Sequence, residues 1–210
     1  MPEFFIPGPR GRLEARHAGA ADPSCPVAVV LHPHPLHGGT MNNKVAYAIF
    51  RSLVEAGCHA TRFNFRGVGR SSGEHAGGDG EVDDALTVVD WMQRRHPESS
   101  TTWIAGFSFG AWIAARVLMK RPDIGRFVLV APDATSRDWS FLGPVPADGL
   151  IIQGSADAIV APDDVAALAG TLVSLSRSLR FEMIEGAGHF FENDMETVRG
   201  LVRDYACRTR

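Results

Sequence analysis

Short apolar runs alternate with longer segments of helical period along the whole chain, and this alternation constrains the fold more than any other feature of the sequence. A strand that feeds a helix and then another strand is the unit of a parallel sheet covered by helices. Strand-length runs fall at 27–31, 60–65, 102–105, 127–130, 150–152 and 179–183. Their nearly unbroken apolar character predicts strands buried on both faces. Short β-rich stretches at 4–6 and 13–15 flank Pro7-Gly8-Pro9 and predict a leading hairpin. The fold class expected is α/β: a mostly parallel central sheet with helices on both faces, in a single domain spanning 1–210. No internal repeat or linker interrupts it.

The helices are read from spacing and caps. From Met41 onward, Val45, Ile49 and Leu53 recur four apart, with Ala46, Phe50 and Val54 beside them and Gly57 as a stop. A second helix begins near Asp79, where Glu81, Asp83 and Asp84 favour the positive end, and Val82, Leu86 and Val89 give it an apolar face. A third runs from 111 to about 120. Pro162, followed by Asp163 and Asp164, marks another start. In the last helix Asn193 stands three residues before Glu196, a capping-box spacing, and Val198, Leu201, Val202 and Tyr205 point to the sheet.

Between the run at 102–105 and the apolar helix stands Gly106-Phe107-Ser108-Phe109-Gly110. A sharp strand-to-helix turn forces its central residue into strained dihedrals, and side chains two before and two after would strike neighbouring backbone, so only very small residues fit at both places. Such a turn lifts Ser108 above the sheet edge, with the helix N-terminus behind it offering N–H groups to a developing oxyanion. Phe109 N–H is the natural first donor. A serine hydroxyl needs a base and a group to orient that base. His189, in Gly186-Ala187-Gly188-His189 after the last strand, is the expected base. Asp157, in Gly154-Ser155-Ala156-Asp157 after the run at 150–152, is the expected acid, with Asp133 as the alternative.

Ser108, Asp157 and His189, in this chain order and in these loops, resemble the α/β-hydrolase superfamily over nearly the whole chain. Within it the chain resembles small bacterial hydrolases related to dienelactone hydrolases, through the segments Leu31-His32-Pro33-His34-Pro35-Leu36-His37-Gly38-Gly39 and Asn64-Phe65-Arg66-Gly67-Val68-Gly69-Arg70-Ser71. The first segment lies where such enzymes place the second half of the oxyanion hole. Pro33 and Pro35 have no N–H, which leaves His34 or Leu36, and alignment of His32-Pro33 with the family's His-Gly favours His34. Dienelactone hydrolases use cysteine where serine stands here, so lactone cleavage does not carry over.

The resemblance implies acyl transfer through a serine-bound intermediate. The segment 131–149 is too short for a helical lid, so the fold should be minimal and the site open. Leu36, Trp139, Phe141 and Phe190 are expected to line a modest apolar pocket for small or short-acyl carboxylic esters. Thioesters, amides and a non-catalytic binding role are the alternatives.

Other classes fit less well. The His32, His34 and His37 spacing is that of a metal-binding segment, but an apolar Leu36 stands where an aspartate belongs, so no metal is expected. Gly67-Val68-Gly69 lacks an immediate helix and a ribose-binding acid, so no dinucleotide cofactor is expected either. With a net charge of −3 and no cluster of Lys and Arg, nucleic acid is not an expected partner. The opening residues hold Pro2, Pro7 and Pro9 and no long apolar run, which argues against a membrane partner and for a cytoplasmic location. Three widely spaced cysteines, Cys25, Cys58 and Cys207, suggest neither a disulfide framework nor a thiolate metal site.

Overall fold

A computed structural model describes residues 3–207. Its strands are β1 (Glu3–Gly8), β2 (Gly11–Ala18), β3 (Val27–Leu31), β4 (His59–Phe63), β5 (Thr102–Phe107), β6 (Ile124–Val130), β7 (Val145–Gly154) and β8 (Ser176–Ile184). They form one sheet in the order β1-β2-β4-β3-β5-β6-β7-β8. β1 pairs antiparallel with β2, and β2 with β4; every other pairing is parallel. The leading hairpin is therefore an antiparallel extension of a parallel sheet.

Among the described residues five α-helices cover the sheet: α1 (Lys44–Glu55), α2 (Asp79–Arg95), α3 (Phe109–Lys120), α4 (Pro162–Leu175) and α5 (Met195–Cys207). Strand side chains alternate faces, and this period of two divides the core. Val27, Val29 and Leu31 of β3 join Phe127 and Leu129 of β6 beneath α2, α3 and α4. Ala28 and Val30 join Trp103, Phe107 and Val128 beneath α1 and α5. Phe127 is fully buried, and truncating it to alanine would cost about 3–5 kcal/mol.

Several boundaries differ from the sequence reading for local reasons. α1 starts at Lys44, not Met41, because the Asn43 side chain accepts from the N–H groups of Val45 at 3.0 Å and Ala46 at 3.2 Å. β7 starts at Val145, well before the expected 150. Pro146 is accommodated because the register with β8 shifts between Val145 and Asp148. The capping box expected from Asn193 and Glu196 is not the one used. α5 begins at Met195, Val198 N–H bonds to Asp194 O at 3.0 Å, and Glu196 pairs with Arg199 instead.

Candidate active site

Parallel strands deliver the loops that follow them to one edge of the sheet, and at this edge the sequence motifs meet. Ser108 follows β5 directly and caps α3 with φ 54° and ψ −117°, a conformation that residues other than glycine rarely adopt. Two close backbone approaches hold it there. A Cβ on Gly106 would lie 2.3 Å from Gly110 O, and one on Gly110 would lie 2.5 Å from both Leu31 O and His32 O. The glycines flanking Ser108 are thus fixed by packing, as the spacing predicted.

The loops after β7 and β8 are laced together. Ser155 N–H bonds to Ile184 O at 3.0 Å, Ala156 N–H bonds to Ala187 O at 3.0 Å, and Gly154 packs so tightly that a Cβ would meet Ala187 O at 2.3 Å. This contact brings Asp157 and His189 together, with His189 Nδ1 at 2.8 Å from Asp157 Oδ2. Asp133, the alternative acid, instead pairs with Arg137 Nε at 3.2 Å and accepts from Ser136 N–H. Oδ1 of Asp157 accepts from the N–H groups of Ile159 and Val160, both at 2.8 Å. Burial raises the Asp157 carboxyl, but the His189 bond and these two N–H groups outweigh it and hold the group below its ordinary value. An ionised carboxylate only accepts, so His189 Nδ1 is the donor in this bond, and Nε2 makes no hydrogen bond among the described residues. The ring lies 5.0 Å from that of Phe107, the residue preceding Ser108.

Sequence reasoning missed Gln153. Fully buried at the end of β7, it donates to Asp157 Oδ2 at 3.0 Å and fills the second site on that oxygen. A polar side chain directly after the run at 150–152 was the available signal.

His34 precedes a 3-10 turn, Pro35–His37, and its Nδ1 accepts from Leu36 N–H at 3.2 Å. Of the two candidate donors, Leu36 N–H is thereby committed, while His34 N–H has no hydrogen bond among the described residues. Phe109, the first residue of α3, likewise has no preceding carbonyl to bond within its helix. The His34 and Phe109 rings lie 4.7 Å apart, so the two segments converge. Burial, then Arg137, then His37 and His75, push the His34 imidazole down to about 4.

The expected pocket residues separate. Phe190, 45% exposed, and Leu36, 69% exposed, stand at the rim. Trp139 and Phe141 stack on each other at 6.0 Å and lean on the core beneath α3, where Trp139 Nε1 donates to Asp133 O. Their rings, partly buried, pack the β6–β7 connection against the core.

Metal-binding candidates also resolve. His32 donates from Nδ1 to Pro33 O at 2.7 Å and accepts from Phe65 N–H on Nε2 at 3.1 Å, so neither nitrogen is left for an ion. At the opposite edge, His17, His59 and His96 have ligand atoms within 4.8 Å of one another. His59, however, accepts from Ala20 N–H and donates to Asp22 O. Its ring also stacks on His96 at 3.9 Å and 26°, which sets the in-plane lone pairs side by side instead of aiming them at one point.

A sheet in this order, with a serine on a left-handed turn after its fifth strand and an aspartate–histidine pair after the seventh and eighth, is that of an α/β-hydrolase. The chain belongs to the family described as serine aminopeptidase, S33, whose model matches residues 26–147. It is 44% identical over 210 residues to the protein RP471 of Rickettsia prowazekii, covering 98% of this chain and 88% of that one. Among solved structures it is similar to ATU1826 of Agrobacterium tumefaciens, with a TM-score of 0.94, 43% identity and coverage of 99% and 95%. It is also similar to XC6422 of Xanthomonas campestris, described as an α/β serine hydrolase without a lid, with a TM-score of 0.87, 34% identity and coverage of 99% and 93%. Residues 131–144, between β6 and β7, carry no helix here either. Among the described residues no helix is long and apolar enough to cross a membrane.

Proposed function

We propose that this α/β serine hydrolase cleaves small or short-acyl carboxylic esters through a Ser108–His189–Asp157 triad and a covalent acyl-enzyme. The observation that carries the reading is the 2.8 Å contact between His189 Nδ1 and Asp157 beside the strained turn at Ser108. His189 Nε2 takes the Ser108 proton as its oxygen attacks the ester carbonyl, and the new oxyanion is received by the N–H groups of Phe109 and His34. The imidazolium then gives its proton to the leaving alkoxide. Water, deprotonated in turn by His189, releases the acid and restores Ser108. Asp157 fixes the tautomer and stabilises the imidazolium, with Gln153 as a positioning residue behind it. The open rim and the absence of a helical insertion at 131–144 favour small acyl groups, and the triad itself would serve thioesters or amides.

The test is mass spectrometry of the intact protein after exposure to a fluorophosphonate, followed by a panel of esters, thioesters and aminoacyl anilides. One adduct on Ser108, slowed in His189→Ala, with acetyl and butyryl esters turned over best, is the expected result. No adduct on the wild type would overturn the mechanism, and faster turnover of aminoacyl anilides would move the substrate class to peptides.

A further inference from the structure

Resting on that acyl-transfer reading, we propose that the groove between α1 and α5 holds the alcohol portion of the ester, so that the enzyme accepts a bulky apolar alcohol beside a small acyl group. The groove has a volume of about 860 Å³; its apolar wall is Val45, Tyr47 and Ala48 of α1, Met195 of α5, and Phe190, and polar and charged side chains make up the rest of its lining. A volume of this order suits a small molecule. Tyr47 and Phe190 are among the few large apolar side chains left exposed, at 40% and 45%. Far from the catalytic edge the groove is bounded by ion pairs, where Glu55 Oε1 meets Arg199 at 3.0 Å and Arg51 at 3.3 Å.

The direction of the reaction assigns the occupant. In the tetrahedral intermediate the oxyanion points to Phe109 and His34, while the leaving oxygen must approach His189 Nε2 to be protonated as its bond to carbon breaks. The leaving group therefore lies on the His189 side. Phe190 follows His189 directly, its ring edge-on to the imidazole at 5.1 Å and 85°, and it forms the near wall of the groove. Both helices run away from this edge, since α1 follows β3 and α5 follows β8. A chain attached to the leaving oxygen is thus led along the groove, whereas the acyl chain is a separate arm of the tetrahedral carbon and is directed away from the leaving oxygen.

Hexyl acetate and ethyl hexanoate decide the matter, because these isomers share formula and ester type and differ only in which side carries the chain. Hexyl acetate should have a kcat/KM at least about tenfold higher, the scale that a few methylenes gain in an apolar site. Arg51→Trp, which replaces an exposed side chain and fills the lower groove, should bring the ratio of the two isomers towards one. Tyr47→Ala, which removes a wall, should lower it less. Enzyme that labels at Ser108 but turns over the isomers equally, or prefers ethyl hexanoate, overturns the role of the groove alone. Failure to label, with neither isomer cleaved, overturns the acyl-transfer reading and the groove's role with it.

Discussion

Histidines gather at both edges of the sheet, and the two groups differ in what their nitrogens touch. At the edge where the parallel strands end, His189 has Nδ1 2.8 Å from the Asp157 carboxylate and, among the described residues, no hydrogen bond at Nε2. At the edge where they begin, His17 bonds to the Thr61 hydroxyl and His59 to two backbone groups, while His96 stacks on His59. His17 is pushed down to about 4 by burial, then by His96, Arg95 and His59; His96 falls to about 4 through burial, His59 and Arg95. For His17 and His96 burial is the leading cause, and neither has a carboxylate bonded to its ring among the described residues. Clustering and burial do not make a histidine a base. A carboxylate on one nitrogen and an open second nitrogen do.

The comparison can be broken most sharply at Ser108 and His189. Ser108→Ala and His189→Ala should each lower kcat by about a millionfold, as removal of either group does in serine hydrolases with this triad. A comparable loss in His17→Leu, measured on the same ester, would mean that the two edges are not functionally distinct. Next comes the choice of carboxylate. Asp157→Asn should reduce kcat by about 10⁴-fold by favouring the wrong tautomer, and Asp133→Asn should leave it near that of the wild type. The reverse ranking would make Asp133 the orienting group.

A smaller effect concerns pH and stability. Burial depresses fully enclosed His32 to about 4, against about 6.5 in the unfolded chain. A depressed histidine means that the unfolded state binds the extra proton. Its contribution is whole above pH 6.5 and is lost as pH falls towards 4, the loss reaching about 3 kcal/mol at the acid limit. His17 and His96 act with the same sign. Urea unfolding between pH 7 and 4.5 should show this loss, with a shallower pH slope in His32→Phe; equal slopes would contradict it. The smallest change expected is at Gly200 in α5, where a Cβ would meet nothing within 4 Å. Gly200→Ala should raise stability by about 0.5–1 kcal/mol in thermal unfolding, in contrast to the crowded Gly110.

The parallel strands were legible because each is buried on both faces and so written as a continuous apolar run, as β3 is from Val27 to Leu31. The turn at Ser108 was legible because its close approaches admit glycine alone at 106 and 110. β7 was read short because Pro146, Asp148 and Gly149 break its apolar pattern while the sheet still accepts them through a shift in register. The α1–α5 groove left no local trace: its walls come from residues 45–48, 190 and 195, which only the packing of two distant helices makes neighbours.

Local chemistry, then, settled the fold class and the residue types at the candidate site, since turn sterics and strand burial act over a few residues. Contacts across the sheet decided the rest. They set Asp157 and not Asp133 against His189, bound Leu36 N–H to His34 while leaving His34 N–H without a bond among the described residues, and leaned Trp139 and Phe141 on the core, because hydrogen-bond partners far apart in sequence are chosen by which loops the folded strands bring together.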